Sequence, residues 1–69
     1  MKAGARNRIT GTVTSIDKGN LMCLVKVDVA KGVRMSSVMT LESLKEAGIK
    51  KGDRVEVLVK AVNVLLVKP

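Results

Sequence analysis

The sequence predicts an all-β domain with five strands and one short helix between the third and the fourth. Apolar residues alternate with polar ones over four segments, a short apolar run follows the last of them, and the alternation gives way once to helical spacing. The 69 residues have room for one domain, residues 1–69. Because a domain of this size buries only roughly 60% of its unfolded surface, its own core gives marginal stability.

The first strand is predicted within RITGTVTSID, residues 8–17. Its alternation places Ile9, Gly11 and Val13 on one face and three threonines on the other. Because glycine weakens the interior of a strand, Gly11 indicates a bend, a bulge or the close approach of another backbone.

Two further strands follow, each after a short turn that contains glycine. The second is predicted over residues 22–29 and the third over residues 33–40, so the three strands form an antiparallel meander. The inward face of the second strand holds Cys23 with three valines, and that of the third holds two methionines. Cys23 is therefore predicted to be a buried, unreactive thiol. Met22, Met35 and Met39 are predicted to pack in the core or between subunits rather than to bind a metal.

The period changes in TLESLKEAGI, residues 40–49, where apolar residues from Leu41 to Ala47 recur at helical spacing. Thr40 precedes this pattern as a predicted N-cap, and Gly48 follows it as a predicted helix end. A helix of about two turns is expected.

The fourth strand is predicted in RVEVLVKAV, residues 54–62, with three valines and Ala61 on one face. The run VLLV, residues 64–67, is predicted as a short fifth strand. Five strands with one helix between the third and the fourth are typical of an OB-type barrel, the fold named for binding oligonucleotides and oligosaccharides.

Composition narrows the function classes. One cysteine and no histidine exclude an intramolecular disulfide and a Cys/His zinc site, which leaves oligomerisation as the expected source of added stability. Without a histidine, and without a nucleophile beside an evident base, the chain is predicted not to be an enzyme. No apolar run approaches the roughly 20 residues of a membrane-spanning helix, so a cytoplasmic protein is expected.

Thirteen lysines and arginines stand against six acidic residues, and the net charge of +7 predicts an anionic partner. Single-stranded nucleic acid is one such partner for an OB-type module. Modules of that kind stack bases on aromatic side chains, and this chain has no Phe, Trp or Tyr. Nucleic-acid binding is therefore the alternative to a small oxyanion, and the basic segment with Lys50, Lys51 and Arg54 is predicted to be a solvated turn.

Three short motifs occur in order along this frame: GARN at residues 4–7, Thr40 with Ser43 at the start of the helix, and Lys60 with Ala61 near the C-terminus. Together with the chain length, they resemble the molbindin or Mop family of small molybdate-binding proteins. The resemblance implies a homohexamer, built as a trimer of dimers, that holds its oxyanions between subunits and needs no organic cofactor.

The resemblance also implies an oxyanion site, residue by residue. Its implied residues are Gly4, Ala5, Arg6, Asn7, Thr40, Ser43, Lys60 and Ala61. Arg6 and Lys60 would come from one chain, and Thr40 and Ser43 from a neighbour. Members of the family usually carry Ser where this chain has Gly4. The glycine keeps the backbone N–H donor of that position and lacks the serine hydroxyl.

These residue types suit molybdate or tungstate. Both ions are tetrahedral dianions whose oxygens only accept hydrogen bonds at neutral pH, and hydroxyl, amide and cationic groups supply donors. Small residues such as Gly4, Ala5 and Ala61 let backbone amides approach the ion closely. The metal is bound as its oxyanion, so no side chain ligates it directly. The predicted function is intracellular binding and storage of molybdate or tungstate for molybdenum homeostasis, without a membrane partner.

Overall fold

The computed structural model describes residues 6–69. Four antiparallel strands form one curled sheet, and a short helix packs against two of them. The elements in chain order are β1 (Arg6–Lys18), β2 (Met22–Ala30), β3 (Val33–Thr40), α1 (Leu41–Ala47), β4 (Arg54–Lys60) and a single 3-10 turn (Ala61–Asn63). Across the sheet the order is β3, β2, β1, β4, so β3 and β4 are the two edge strands.

The buried core confirms the alternation predicted for the first two strands. Its members are Val13, Cys23, Val25, Val27 and Leu44. Four of the five come from β1 and β2. These two strands lie in the middle of the sheet, so each has a neighbouring strand along both of its edges. The helix contributes Leu44 alone to this buried set, and Ala47, which the spacing places on its apolar face, is exposed.

Strand β1 is long because it pairs with two different strands. Its first half pairs with β4 and its second half with β2. The register with β2 shifts between Val13 and Ser15, which marks a β-bulge. Because the bulge resets the alternation, Val13 and Ile16 both pack into the core although three positions separate them.

Of the bend, the bulge and the close backbone approach that Gly11 indicated, the structure confirms the close approach. A Cβ atom at this residue would lie 2.5 Å from Val27 Cγ1 and 2.9 Å from the backbone oxygen of Asp28. The glycine therefore allows the close approach of β2, while the bulge lies further along the strand, after Val13.

The turn before β4 is fastened to β1 at the same bulge. The amide of Val13 donates to the Asp53 carbonyl over 2.9 Å, and the amide of Gly52 donates to the Val13 carbonyl over 2.8 Å. Within the turn, the amide of Lys50 donates to the Asp53 carboxylate over 2.9 Å. As predicted, Lys50, Lys51 and Arg54 are exposed here.

The predicted fifth strand does not form within the chain, and the sheet has four strands. After β4 the backbone turns at Ala61–Asn63, so Ala61 ends the strand instead of continuing it, and residues 64–69 have no regular structure. A strand is held by hydrogen bonds to a neighbour, and in the part of the chain that is described nothing pairs with this segment. Leu65 and Leu66 are consequently 84% and 88% exposed.

Candidate functional site

The residues at the start of β1 and the end of β4 lie side by side. Arg6 pairs with Lys60 in the ladder, and Asn7 pairs with Val59. The side-chain amide of Asn7 donates to the carbonyl of Val59 over 3.4 Å, which ties the two strand ends together. Ala61 follows directly as the first residue of the 3-10 turn. Four predicted site residues therefore form one group, which we call the strand-end group: Arg6, Asn7, Lys60 and Ala61.

Two further predicted site residues, Gly4 and Ala5, lie outside the described residues. They immediately precede Arg6 in the sequence.

Thr40 and Ser43 form the second group, at the start of α1, which we call the helix-start group. Thr40 is extended, with φ −72° and ψ 152°, and its Oγ1 accepts a hydrogen bond from the Ser43 amide over 3.0 Å. The Thr40 hydroxyl also donates to Ser43 Oγ over 2.8 Å. Thr40 therefore has the predicted N-cap role. Because the two hydroxyls share one hydrogen bond, one hydroxyl hydrogen of the pair remains to be offered to an anion.

The turn between β1 and β2 holds the helix start in place. The amide of Leu41 donates to the Leu21 carbonyl over 2.9 Å, and Thr40 pairs with Met22 in the ladder. At the other end, Gly48 adopts the left-handed conformation at φ 68°, and its amide bonds to the carbonyls of Leu44 and Lys45. The sequence predicted both caps but not the contact with Leu21, because a backbone carbonyl in a turn leaves no signature in residue type.

Replacing the N-cap gives a direct measure of how much this geometry stabilises the fold. Thr40→Ala is expected to lower the free energy of unfolding by about 1 kcal/mol, because the Ser43 amide loses its acceptor. Thr40→Ser keeps the hydroxyl and should unfold close to the wild type. Urea denaturation of the three proteins compares them, and equal midpoints for Thr40→Ala and the wild type would contradict the assignment.

The two groups lie at opposite ends of β1. The strand-end group begins at Arg6, while the helix-start group neighbours the far end, where Lys18 pairs with Cys23 and Thr40 pairs with Met22. Twelve steps of extended chain correspond to roughly 40 Å in a straight strand. The bulge bends β1, and the whole described chain extends 36 Å along its longest axis. The register therefore places the two groups at opposite ends of β1.

Both groups are rich in donors and open to solvent. Asn7, Ser43 and Lys60 are exposed. The described residues contain two ion pairs within 4.0 Å, Arg8 with Glu56 at 3.8 Å and Arg34 with Asp28 at 2.9 Å, and neither includes Lys60. The ammonium group of Lys60 is thus available to an anionic ligand.

The remaining sulfur and metal predictions concern positions away from these groups. Cys23 is buried with 2% exposure, as predicted, and its thiol lies 3.5 Å from the Met39 carbonyl. Met35 and Met39 are partly buried, and Met22 is 45% exposed beside the helix start. Residues 6–69 contain no cluster of three or more metal-ligating side chains. Over the same residues, no helix is long and apolar enough to span a membrane.

Comparison with known proteins places this geometry in a family. A family model of the TOBE domain matches residues 4–66, nearly the whole chain. The chain belongs to the TOBE-domain family. The matched range includes every residue of the strand-end and helix-start groups and also Gly4 and Ala5.

Relatives of this TOBE-domain chain are molybdenum-pterin-binding proteins, which identifies it as a member of the molbindin or Mop family. A probable molybdenum-pterin-binding protein of Haemophilus influenzae is 33% identical over 66 residues, with 96% of each chain covered. Molybdenum-pterin-binding protein 1 of Clostridium pasteurianum is 30% identical, with 96% of this chain and 97% of the relative covered. The resemblance seen in the three motifs is confirmed.

Solved structures share the fold of this TOBE-domain chain. MopII from Clostridium pasteurianum superposes with a TM-score of 0.86 at 30% identity, over 97% of this chain and 100% of MopII. A molybdate-binding protein from Sporomusa ovata gives the same TM-score at 34% identity, over 99% of this chain and 100% of that chain. The all-β sheet with one short helix is thus the fold of Mop-type proteins.

Proposed function

We propose that this protein binds molybdate or tungstate at sites that two copies complete together. The observation that carries the proposal is the separation of the two donor groups along β1. The strand-end group supplies cationic and amide donors, the helix-start group supplies a hydroxyl, and the register that places them at opposite ends of β1 supports a site completed by a second copy. The names of two relatives, a probable molybdenum-pterin-binding protein and a molybdate-binding protein, support the choice of ion.

The donor set favours a fully deprotonated dianion. Molybdate and tungstate offer four oxygens that only accept hydrogen bonds, and Lys60 and Ser43 offer hydrogens to them. Hydrogen phosphate carries a proton at neutral pH, and a site built from donors leaves that proton unpaired at a cost of about 1–3 kcal/mol. Sulfate carries no such proton, so its exclusion depends on its smaller size.

In the cell we propose a storage role. A copy that binds the ion only after association releases it when the assembly loosens, which suits a buffer for molybdenum homeostasis. The assembly we propose is a homohexamer in the cytoplasm, built as a trimer of dimers, with the oxyanion as its bound ligand and no organic cofactor. Catalysis has no part in this role.

Isothermal titration of the purified protein with molybdate, tungstate and sulfate at physiological salt tests the proposal. We expect saturable heat with the first two ions and at least about tenfold weaker binding of sulfate, because shorter bonds place its oxygens out of reach of donors fixed for a larger ion. Absence of heat with both molybdate and tungstate contradicts the proposal.

Substitution of Lys60 tests the assignment of the site. Lys60→Gln is expected to weaken molybdate binding by about ten- to a hundredfold, because a hydrogen bond to a charged group contributes about 1.5–3 kcal/mol. Lys68→Gln removes the same charge outside the strand-end group and serves as the matched control. Equal affinities of the two variants would show that net charge, rather than the position of Lys60, governs binding.

A further inference from the structure

A cleft opens between α1, the end of β1 and the turn that follows the helix. Its volume is about 430 Å³, which lies within the usual range for ligand pockets. The side chains that line it are three aliphatic ones and three from lysine: Leu41, Leu44, Ile49, Lys18, Lys45 and Lys50. No described residue of the strand-end or helix-start group is among them, so the oxyanion site does not account for this cleft.

The floor of the cleft is aliphatic. Leu44 belongs to the buried core with 5% exposure, while Leu41 and Ile49 pack against that core and keep part of their surface exposed. Covering such surface with another apolar side chain is favourable, because it removes apolar area from water. The floor therefore favours an occupant that has an apolar part.

Hydrogen bonds hold the walls of the cleft in place. The amides of Gly48 and Ile49 both donate to the Leu44 carbonyl, over 3.1 Å and 3.4 Å, which closes the end of the helix. The next amide, that of Lys50, donates to the Asp53 carboxylate over 2.9 Å, in the turn that is fastened to the bulge of β1. Because this backbone is already fixed, an occupant loses little free energy in ordering it.

The lysines reach the cleft from three separate parts of the chain. Lys18 ends β1, Lys45 lies in the last turn of α1, and Lys50 lies in the turn before β4. All three are exposed, and neither of the two ion pairs among the described residues includes any of them. Three ammonium groups therefore border the aliphatic floor, and within residues 6–69 none of them has a carboxylate partner.

The acidic residues point away from the cleft or lie outside it. Glu42 and Glu46 of the helix are displaced around its axis by roughly 100° and 140° from Leu41, which faces the cleft. Asp17 directly precedes Lys18, but successive side chains of a strand point to opposite faces. No acidic residue among residues 6–69 lines the cleft, so the potential inside it is positive.

This combination of charge and apolar surface selects among the possible occupants. A second copy carries the same net charge of +7 and is repelled from a positive cleft. A compact inorganic anion would pair with ammonium groups but leave the aliphatic floor in water. A peptide segment that carries several carboxylates around an apolar side chain satisfies both parts of the cleft.

We propose that this cleft is a docking site for an acidic segment of a partner protein. Its carboxylates pair with the three lysines, and its apolar side chain covers Leu41 and Ile49. The inference goes beyond the proposed function and does not depend on it, because the cleft and the two donor groups share no described residue. Leu41 directly follows Thr40, so the docked segment lies beside the helix-start group. A protein that receives the oxyanion is the class of partner that suits this position.

Fluorescence anisotropy with a labelled synthetic peptide tests the chemistry of the cleft. The probe is a short peptide in which glutamates flank a pair of leucines, and the protein is the full chain without molybdate. Two matched peptides have glutamine in place of glutamate or serine in place of leucine. Each is expected to bind at least about tenfold more weakly, because one lacks the carboxylates and the other the apolar contact. Equal affinity of either matched peptide would contradict the proposal.

Substitution of the lysines tests the position of the site. Lys18→Gln with Lys45→Gln is expected to weaken binding of the acidic peptide about tenfold, since two of the three ammonium groups are lost. Lys31→Gln with Lys68→Gln removes the same net charge outside the cleft and should bind the peptide as the wild type does. All four lysines are exposed, so both double variants are expected to fold, which circular dichroism checks. An equal loss of affinity in the two would show that net charge alone governs binding, and the inference is then wrong.

Backbone amide NMR identifies what occupies the cleft. The acidic peptide is expected to shift the amide signals of Gly48, Ile49 and Lys50 and to leave that of Lys60 unchanged. Shifts confined to another surface would overturn the inference. It is also overturned if vesicles of anionic phospholipid shift these amides and the peptide does not, since the cleft would then contact a membrane. Shifts of the same amides that depend on protein concentration, without peptide, would assign the cleft to a second copy instead.

The two proposals fail separately. Lys18→Gln with Lys45→Gln is expected to bind molybdate as the wild type does, because neither lysine belongs to a donor group. If the wild type binds the acidic peptide at the cleft but no oxyanion, the proposed function is wrong and the docking site stands. If it binds molybdate but not the peptide, the docking site is wrong and the function stands.

Discussion

A mixture of two variants that each bind molybdate weakly is expected to regain tight binding. Lys60→Gln damages the strand-end group and leaves Ser43 intact, while Ser43→Ala damages the helix-start group and leaves Lys60 intact. If one site draws these groups from two chains, random association of equal amounts gives an undamaged pair in about one quarter of the sites. The two variants are refolded together, titrated with molybdate and compared with each variant refolded alone.

The control for this experiment is a mixture whose substitutions affect the same group. Arg6→Gln mixed with Lys60→Gln cannot form an undamaged site, because every strand-end group comes whole from one chain and carries one of the two changes. An isotherm of the first mixture that is the mean of its two parents would contradict a site shared between chains. Tight sites in the control mixture would contradict the grouping of Arg6 with Lys60.

Gly11→Val is expected to prevent stable folding. A Cβ added at this position would lie 2.5 Å from Val27 Cγ1 and 2.9 Å from the Asp28 carbonyl oxygen. The second contact involves backbone, which cannot rotate away as a side chain can. Overpacking of a core typically costs about 1–3 kcal/mol and more where backbone must shift, which is a large share of the free energy of unfolding for so small a domain. Circular dichroism and urea denaturation measure the loss.

Gly19 provides the comparison for Gly11. A Cβ at Gly19 meets one atom, the Met22 carbonyl oxygen at 3.2 Å, in a turn that can adjust by a few tenths of an ångström. Gly19→Ala should therefore unfold at a urea concentration near that of the wild type, and Gly11→Ala well below it. Equal midpoints for the two alanine variants would mean that β2 moves aside easily, which would contradict the tight packing of β1 on β2.

Most of the fold can be predicted from the sequence, because a strand or helix with one buried face carries apolar residues at the spacing of that face. The alternation around Val25 and Val57 and the caps at Thr40 and Gly48 are local patterns, and the structure has them where they are predicted. The bulge is not readable in this way. Gly11 indicates an irregularity in the strand, but the bulge lies where the turn before β4 bonds to Val13. That contact joins Val13 to Asp53, forty positions apart in the sequence.

The sequence could not show whether the fifth strand forms within the chain. An apolar run such as VLLV indicates a strand, but it does not show which neighbouring strand would pair with it. The site has the same limit. Residue types and motif order point to Lys60 and Ser43 as donors, but the sequence does not give the distance between them. Only the register of β1 with its two neighbours shows that they lie at opposite ends of that strand.

Strand β1 also limits how the length of this protein can change. Its thirteen residues separate the two donor groups, so in an assembly with shared sites the number of residues in β1 sets the spacing between ions. Inserting one residue would reverse the inward and outward faces beyond it, and deleting two would keep the faces but shorten the strand by about 7 Å. Neighbouring copies would then no longer meet at both ends. Length variation is expected to be tolerated in the β2–β3 turn at residues 31–32. In β1, a change of even two residues is expected to abolish oxyanion binding while each copy still folds.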